Sequence, residues 1–199
     1  MAKVFTRVGV AIIVGGAALL LLVGLPNFAS AKEATPTFTA VPGKPTLVLA
    51  SYDLGDVGYQ VSESFAAGTA ASYRLPGPVT ADGVWNAAAA ETAPFTTRVV
   101  VLRPTDPAKF NGTVIVEWLN VTAGYDFAAD WVYGHREMIR KGYAWVGVSA
   151  QKAGVDGGGM TGTSFAGAAL KKADPQRYGT LSHPGDAFSY DIFSQVGRA

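Results

Sequence analysis

The chain has 199 residues, 49% of them hydrophobic, with 16 Lys and Arg against 15 Asp and Glu and no cysteine. That length supports one domain with a sizeable core. The lack of cysteine excludes a disulfide framework, a lipidated N-terminal cysteine and thiolate metal sites. The near-neutral charge gives no electrostatic footprint for nucleic acid.

Lys3 and Arg7 precede an uncharged apolar run from Val8 to Leu25, Pro26 ends it, and Ala29-Ser30-Ala31 offers small residues for cleavage. This is the layout of a secretory signal peptide cut after Ala31. An uncleaved anchor helix competes with it, because the run could just span a bilayer; the glycines in the run and the Ala-Ser-Ala site favour cleavage. Loss of residues 1–31 turns a formal charge of +1 into −1. The expected product is periplasmic or extracellular, without membrane attachment once the leader is gone.

Residues 32–45 carry three prolines and several threonines and are expected to form an extended linker. The domain proper is expected over 46–199. Thr46–Ala50 is a short apolar strand candidate. Tyr59–Tyr73 alternates loosely, as a strand or as a hairpin with Gly68 near its turn. The segment 74–94, punctuated by Pro76, Gly77, Pro78 and Gly83, predicts irregular surface structure.

The middle of the chain is more regular. "TTRVVVLRP" (Thr96–Pro104) predicts a strand stopped by proline, and "TVIVEWL" (Thr113–Leu119) a strand buried on both faces. A helix is expected from about Phe127 to Lys141. Phe127, Trp131, Met138 and Ile139 fall at helical spacing, Asp126 stands at the N-cap position, and Gly142 stops it. "YAWVGVS" (Tyr143–Ser149) predicts another buried strand. Strand, helix and strand of these lengths make a βαβ unit, and hence an α/β fold with a mostly parallel sheet behind a β-rich N-terminal segment. The glycine-rich stretch 151–167 and the stretch up to Asp186 predict loops. A last helix, from about Ala187 and capped by Asp186, places Phe188, Ile192 and Val196 on one face.

In such a sheet, ligands bind beyond the carboxyl ends of the strands. "NVTAG" after Leu119 and "SAQKAG" after Val148 must emerge there. Gly147-Val148-Ser149-Ala150-Gln151 stops one glycine short of the Gly-x-Ser-x-Gly nucleophile elbow. An elbow needs small residues two positions either side of the serine and a helix at once behind it. Gln151 fails the first condition and the glycine-rich stretch is expected to fail the second, so Ser149 reads as a strand-end serine. "GTSFAG" at 162–167 has its second glycine one residue late. His135 reads as a helical residue and His183 as part of a Pro-Gly turn, too isolated for a metal site. Glu117, inside a buried strand, must be paired, and an ion pair is expected. No metal or cofactor is expected.

"FNGTVIVEWLNVTAGYDF", "GYAWVGVSAQKAG" and "LKKADPQRYGTLSHPGDAFSYDIFSQVGRA" resemble successive blocks of a family of exported α/β-hydrolase-domain proteins, with a weaker likeness through "YDLGDVGYQVSESFAAGTAASYR". The resemblance implies an α/β-hydrolase-like fold and a serine hydrolase acting on small ester or related acyl substrates. It places the serine elbow on a strand after the helix that ends at Ala199, with the acid and histidine later still. The 199 residues would then be an N-terminal portion, inactive alone. They would contribute an oxyanion-hole backbone N–H from Asn120 or Val121, with Thr122, Tyr125 and Gln151 lining the substrate. The alternative is a non-catalytic exported binding protein with the same kind of sheet.

Overall fold

A computed structural model of the protein describes residues 35–158 and 168–199. The expected leader, its cleavage site and "GTSFAG" lie outside those residues.

Among the described residues, five strands form one sheet in the order β1-β2-β3-β5-β4. They are β1 (Thr37–Val41), β2 (Tyr59–Arg74), β3 (Ala88–Pro104), β4 (Val114–Trp118) and β5 (Ala144–Val148). β4 and β5 pair parallel, as the βαβ unit requires, and β4 lies at one edge of the described sheet. The N-terminal β-rich segment supplies the other three strands and joins antiparallel, β3 lying against β5. The described sheet is therefore mixed within an α/β fold.

Several elements differ from their sequence-based expectations. Within the expected linker, Thr37–Val41 is an edge strand paired with β2. Thr46–Ala50 forms no strand; its Leu49 is buried under a helix while the backbone runs as a loop. Tyr59–Arg74 is one continuous strand, and Gly68 lies within it opposite Phe95. A Cβ at Gly68 would meet the Phe95 ring at 3.1 Å, so the glycine reflects close packing and not a turn. β3 begins at Ala88, inside the segment expected to be irregular, because alanines and threonines there pair with the far end of β2.

Helix α1 (Ala129–Lys141) ends at Gly142, whose φ of 73° lets its N–H reach back to Ile139 and Met138. Short helices α2 (Lys152–Asp156), α3 (Leu170–Ala173) and α4 (Pro175–Tyr178) follow β5, and α5 (Ser189–Arg198) closes the described chain. Alternation along β3 sends Val100 and Leu102 to one face, where they pack with Leu119, Trp131 and Trp145. Val99 goes to the other, with Phe95, Val148, Ile192 and Val196. The sheet is thus buried between α1 on one side and α5 on the other. Removing a fully buried side chain as large as Trp131 would cost about 3–5 kcal/mol.

Candidate functional site at the carboxyl edge of the sheet

Three backbone segments meet where β4 and β5 end: the loop 119–128, the turn after Val148 and the middle of β3. Parallel pairing of Trp118 with Val148 sets the first two side by side. Antiparallel pairing of Val99 with Val148 brings Arg98 and Thr97 to the same edge.

Arg98 organises this edge. It is fully buried, and its guanidinium donates to Asp126 Oδ2 at 2.7 Å, to Ser149 Oγ at 3.1 Å and to the Thr46 carbonyl at 2.7 Å. Ser149 Oγ in turn donates to Asp126 Oδ2 at 2.5 Å, and the Ser149 carbonyl accepts from Thr97 Oγ1 at 2.5 Å. A buried cation costs several kcal/mol unless such partners meet it, and here a carboxylate, a hydroxyl and a carbonyl do. Ser149 itself is wholly buried.

The expectation for the turn after Ser149 is half corrected. A helix, α2, does start at once, with Gln151 at its N-cap position. What sets Ser149 apart from an elbow serine is the burial of its Oγ, not the lack of a helix. Gly147 also has another reason to be small. A Cβ there would lie 2.3 Å from the Trp145 indole, so Trp145 and not the helix claims the space.

Asp126 does not cap α1; the residue at that position is Ala128, which offers no side-chain acceptor. Asp126 is drawn inward to Arg98 and lies against Gly154 of α2, where a Cβ would sit 1.9 Å from Oδ1. The cap comes from Glu117, whose two carboxylate oxygens each accept a backbone N–H of α1, from Asp130 and Trp131, both at 3.0 Å. Trp145 Nε1 adds a third donor at 2.8 Å. The expected ion pair at Glu117 is thus replaced by three N–H donors at a helix N-terminus. Burial pushes its carboxyl above the usual range, and the N–H donors pull it partly back.

The loop after β4 is closed on itself. Asn120 and Phe127 exchange backbone hydrogen bonds, N–H to carbonyl, at 3.0 and 2.9 Å. Asn120 Oδ1 accepts from Thr122 N–H, and Gly124 N–H donates to the Val121 carbonyl. The Asn120 N–H is therefore spent within the loop. Among the described residues the Val121 N–H makes no hydrogen bond. Of the two expected donors, Val121 alone keeps one to offer. Thr122 is exposed and Tyr125 half-buried, and Tyr125 borders a cleft of about 290 Å³ together with Asp126, Thr46, Leu47 and Leu170. Gln151 is half-buried and accepts from Trp118 Nε1 at 2.9 Å, which fixes its amide across the two strand ends.

The histidines are held by backbone. His183 is buried; its Nδ1 accepts from Gly185 N–H at 3.2 Å, so Nε2 carries the proton and donates to the Ala150 carbonyl at 2.8 Å. Burial lowers its pKa from the ordinary 6.5 and keeps it neutral. It ties the segment before α5 to the turn after β5. Asp186, expected to cap the last helix, instead accepts the Lys152 N–H of α2 at 2.8 Å. His135 lies in α1, its Nδ1 against the Trp131 and Val132 carbonyls. No group of His, Asp and Glu that could hold a metal occurs among the described residues.

Sequence reasoning missed the network around Arg98. The signal was present: one arginine inside "TTRVVV" must be paired if the strand is buried. Its partners were not legible, since they come from positions 46, 126 and 149. The network extends through Tyr178, whose hydroxyl accepts from Thr46 N–H and donates to Glu63 at 2.9 Å. Arg177 completes it by pairing with Glu63.

Residues 26–199 match a family model described as an alpha/beta hydrolase domain. No curated protein and no solved structure matches the chain.

Proposed function

Because this chain belongs to the alpha/beta hydrolase domain family, we propose that it is the N-terminal part of an exported serine hydrolase acting on small ester or related acyl substrates. Its leader would be cut after Ala31. The observation that carries the reading is the division of labour at the carboxyl edge. Ser149 is buried in the Arg98–Asp126 pair, whereas the Val121 N–H, in the neighbouring loop, makes no hydrogen bond among the described residues.

That arrangement suits an active site whose nucleophile arrives on another strand. β4 lies at the edge of the described sheet, and a strand following α5 could pair there and deliver a serine beside the loop after β4. The serine would attack the acyl carbon. The negative charge on the carbonyl oxygen would be met by two backbone N–H groups, one following the nucleophile and one from the loop after β4. Val121 is the donor assigned here, held by the Asn120–Phe127 exchange and the turn closed by Gly124. Thr122, Tyr125 and Gln151 would border the acyl or alcohol portion of the substrate.

A test is aryl-ester hydrolysis by the full-length protein beside residues 32–199 alone. The reading expects turnover by the first and none by the second. Turnover by residues 32–199 would overturn the placement of the nucleophile. Inactivity of a folded full-length protein towards aryl and alkyl esters would favour the exported binding protein, a reading that the structural engagement of both Ser149 and His183 also supports.

A further inference from the structure

β2 and β3 run on far beyond the rest of the sheet. β3 is level with the end of β5 at Val99, and its pairing with β2 continues out to Arg74 and Ala88. The stretch from Val99 to Ala88 spans roughly 35 Å at about 3.3 Å per residue. Since β3 is antiparallel to β5, this arm projects from the carboxyl edge, the edge that carries the loop after β4. α5 braces its inner part, Asp191 accepting from Ala71 N–H at 2.7 Å and Gln195 donating to the Thr69 carbonyl at 2.9 Å.

The outer end of the arm is apolar and uncovered. Leu75, Val79, Val84 and Trp85 are 41, 61, 76 and 51% exposed. Between Leu75 and Ala90 the only charged side chain is Asp82. Its carboxylate is exposed, and accepts from Thr80 Oγ1 at 2.5 Å and from Val84 N–H at 3.0 Å. A few polar groups of the turn are met from within. Trp85 Nε1 donates to the Thr80 carbonyl at 2.8 Å and Gly83 N–H to the same carbonyl, while Pro76 and Pro78 carry no N–H to satisfy.

We propose that this hairpin tip docks the protein on the surface of an uncharged or zwitterionic lipid layer, inserting Val79, Val84 and Trp85 among the headgroups and upper acyl chains. A polar group that enters lipid without a hydrogen bond is expensive, so the contact is confined to the level where water still reaches the exposed Asp82 carboxylate and the unbonded backbone. Trp is suited to the headgroup level, where an amphipathic ring finds both of its media. A protein partner fits less well. A stable protein interface uses about 20–30 residues a side, and the tip presents four large apolar side chains. The near absence of charge, with one carboxylate and no basic residue between Leu75 and Ala90, points away from anionic lipid. The sequence alone led to the expectation of no membrane attachment after leader removal; this contact would be peripheral, and no helix among the described residues is long and apolar enough to cross a membrane.

The proposal stands apart from the hydrolase reading, because its test needs no turnover. The full-length protein from Lys32 onward is sedimented with phosphatidylcholine vesicles, beside the Val84→Ser/Trp85→Ser double variant. The wild type should co-sediment, and the variant should partition at least tenfold less while keeping its thermal transition. A second readout is independent of that variant. Vesicles should shift tryptophan emission to the blue in the wild type and not in Trp85→Phe, since Trp131 and Trp145 are already buried. Absence of binding to phosphatidylcholine, binding that needs anionic lipid and vanishes in salt, or binding equal in all three proteins would overturn the proposal. So would loss of self-association, without any vesicle effect, in the double variant, which would mark the tip as a contact between copies.

Discussion

Two turns leave the same edge of the sheet, side by side, and they have opposite character. The turn after β5 carries the residue with the more suggestive sequence, Ser149, yet its hydroxyl is enclosed by Arg98 and Asp126. The loop after β4 carries no serine, but its backbone is folded so that the Val121 N–H is left unbonded among the described residues. Position in the fold is shared; what separates the two is whether a polar group has already been claimed by the interior. A strand-end serine is chemically useful only if its Oγ is not needed to neutralise a buried charge.

The comparison breaks most severely at Arg98. Arg98→Met should leave the Asp126 carboxylate buried without its cation and destabilise the fold by about 3–5 kcal/mol. Urea unfolding of the two proteins measures it, and a loss under 1 kcal/mol would mean that the edge is not organised by this pair. On the other side, Val121→Pro deletes the unbonded Val121 N–H. Under the proposed function, turnover by the full-length enzyme should fall by about a hundredfold or more, equivalent to roughly 3 kcal/mol of barrier, with the thermal transition nearly unchanged. Val121→Ala, which keeps the N–H, should stay within about threefold of wild type on the same scale. Steady-state kinetics of the three proteins separates the backbone donor from the side chain.

Ser149→Ala sharpens the contrast. It removes one hydroxyl that bonds two buried partners, so a loss of about 1–3 kcal/mol is expected, with ester turnover retained. Turnover abolished in a folded Ser149→Ala protein would reverse the roles assigned to the two turns.

The smallest effect concerns His183, which pins the turn after β5 from the far side. Its folded pKa lies below the ordinary 6.5, so the unfolded chain binds the proton first as pH falls. Its contribution to stability is therefore fully present above pH 6.5 and declines progressively below it, until the folded pKa is also passed. Unfolding free energies measured between pH 8 and pH 5 should slope more steeply for wild type than for His183→Gln over that window. Parallel slopes would show that His183 is not held neutral.

The sequence showed the βαβ unit clearly because its elements carry local signals. "TVIVEWL" is apolar on both faces, the helix ends at a glycine, and "YAWVGVS" repeats the pattern. The length of β2 and β3 was hidden, because "FAAGTAASY" and "AAAAETAPF" are small and weakly patterned residues that become strands by pairing with each other. The loop after β4 could be placed at the edge from topology alone. That the Asn120 N–H is spent and the Val121 N–H is not could not be foreseen, since it depends on the Phe127 carbonyl capturing Asn120. The same limit applies to Asp126. Its N-cap position before an amphipathic helix was a sound local signal, but Arg98, 28 residues away in sequence, drew it inward.

Under the proposed function, the nucleophile of the assembled site is not Ser149 but a serine brought to the edge beside β4. The most direct test is to react the full-length protein with a fluorophosphonate and map the modified serine by peptide mass spectrometry. The account predicts one stoichiometric adduct on a serine outside residues 1–199, unaffected by Ser149→Ala. An adduct on Ser149 itself, abolished by that substitution in a folded protein, would contradict it.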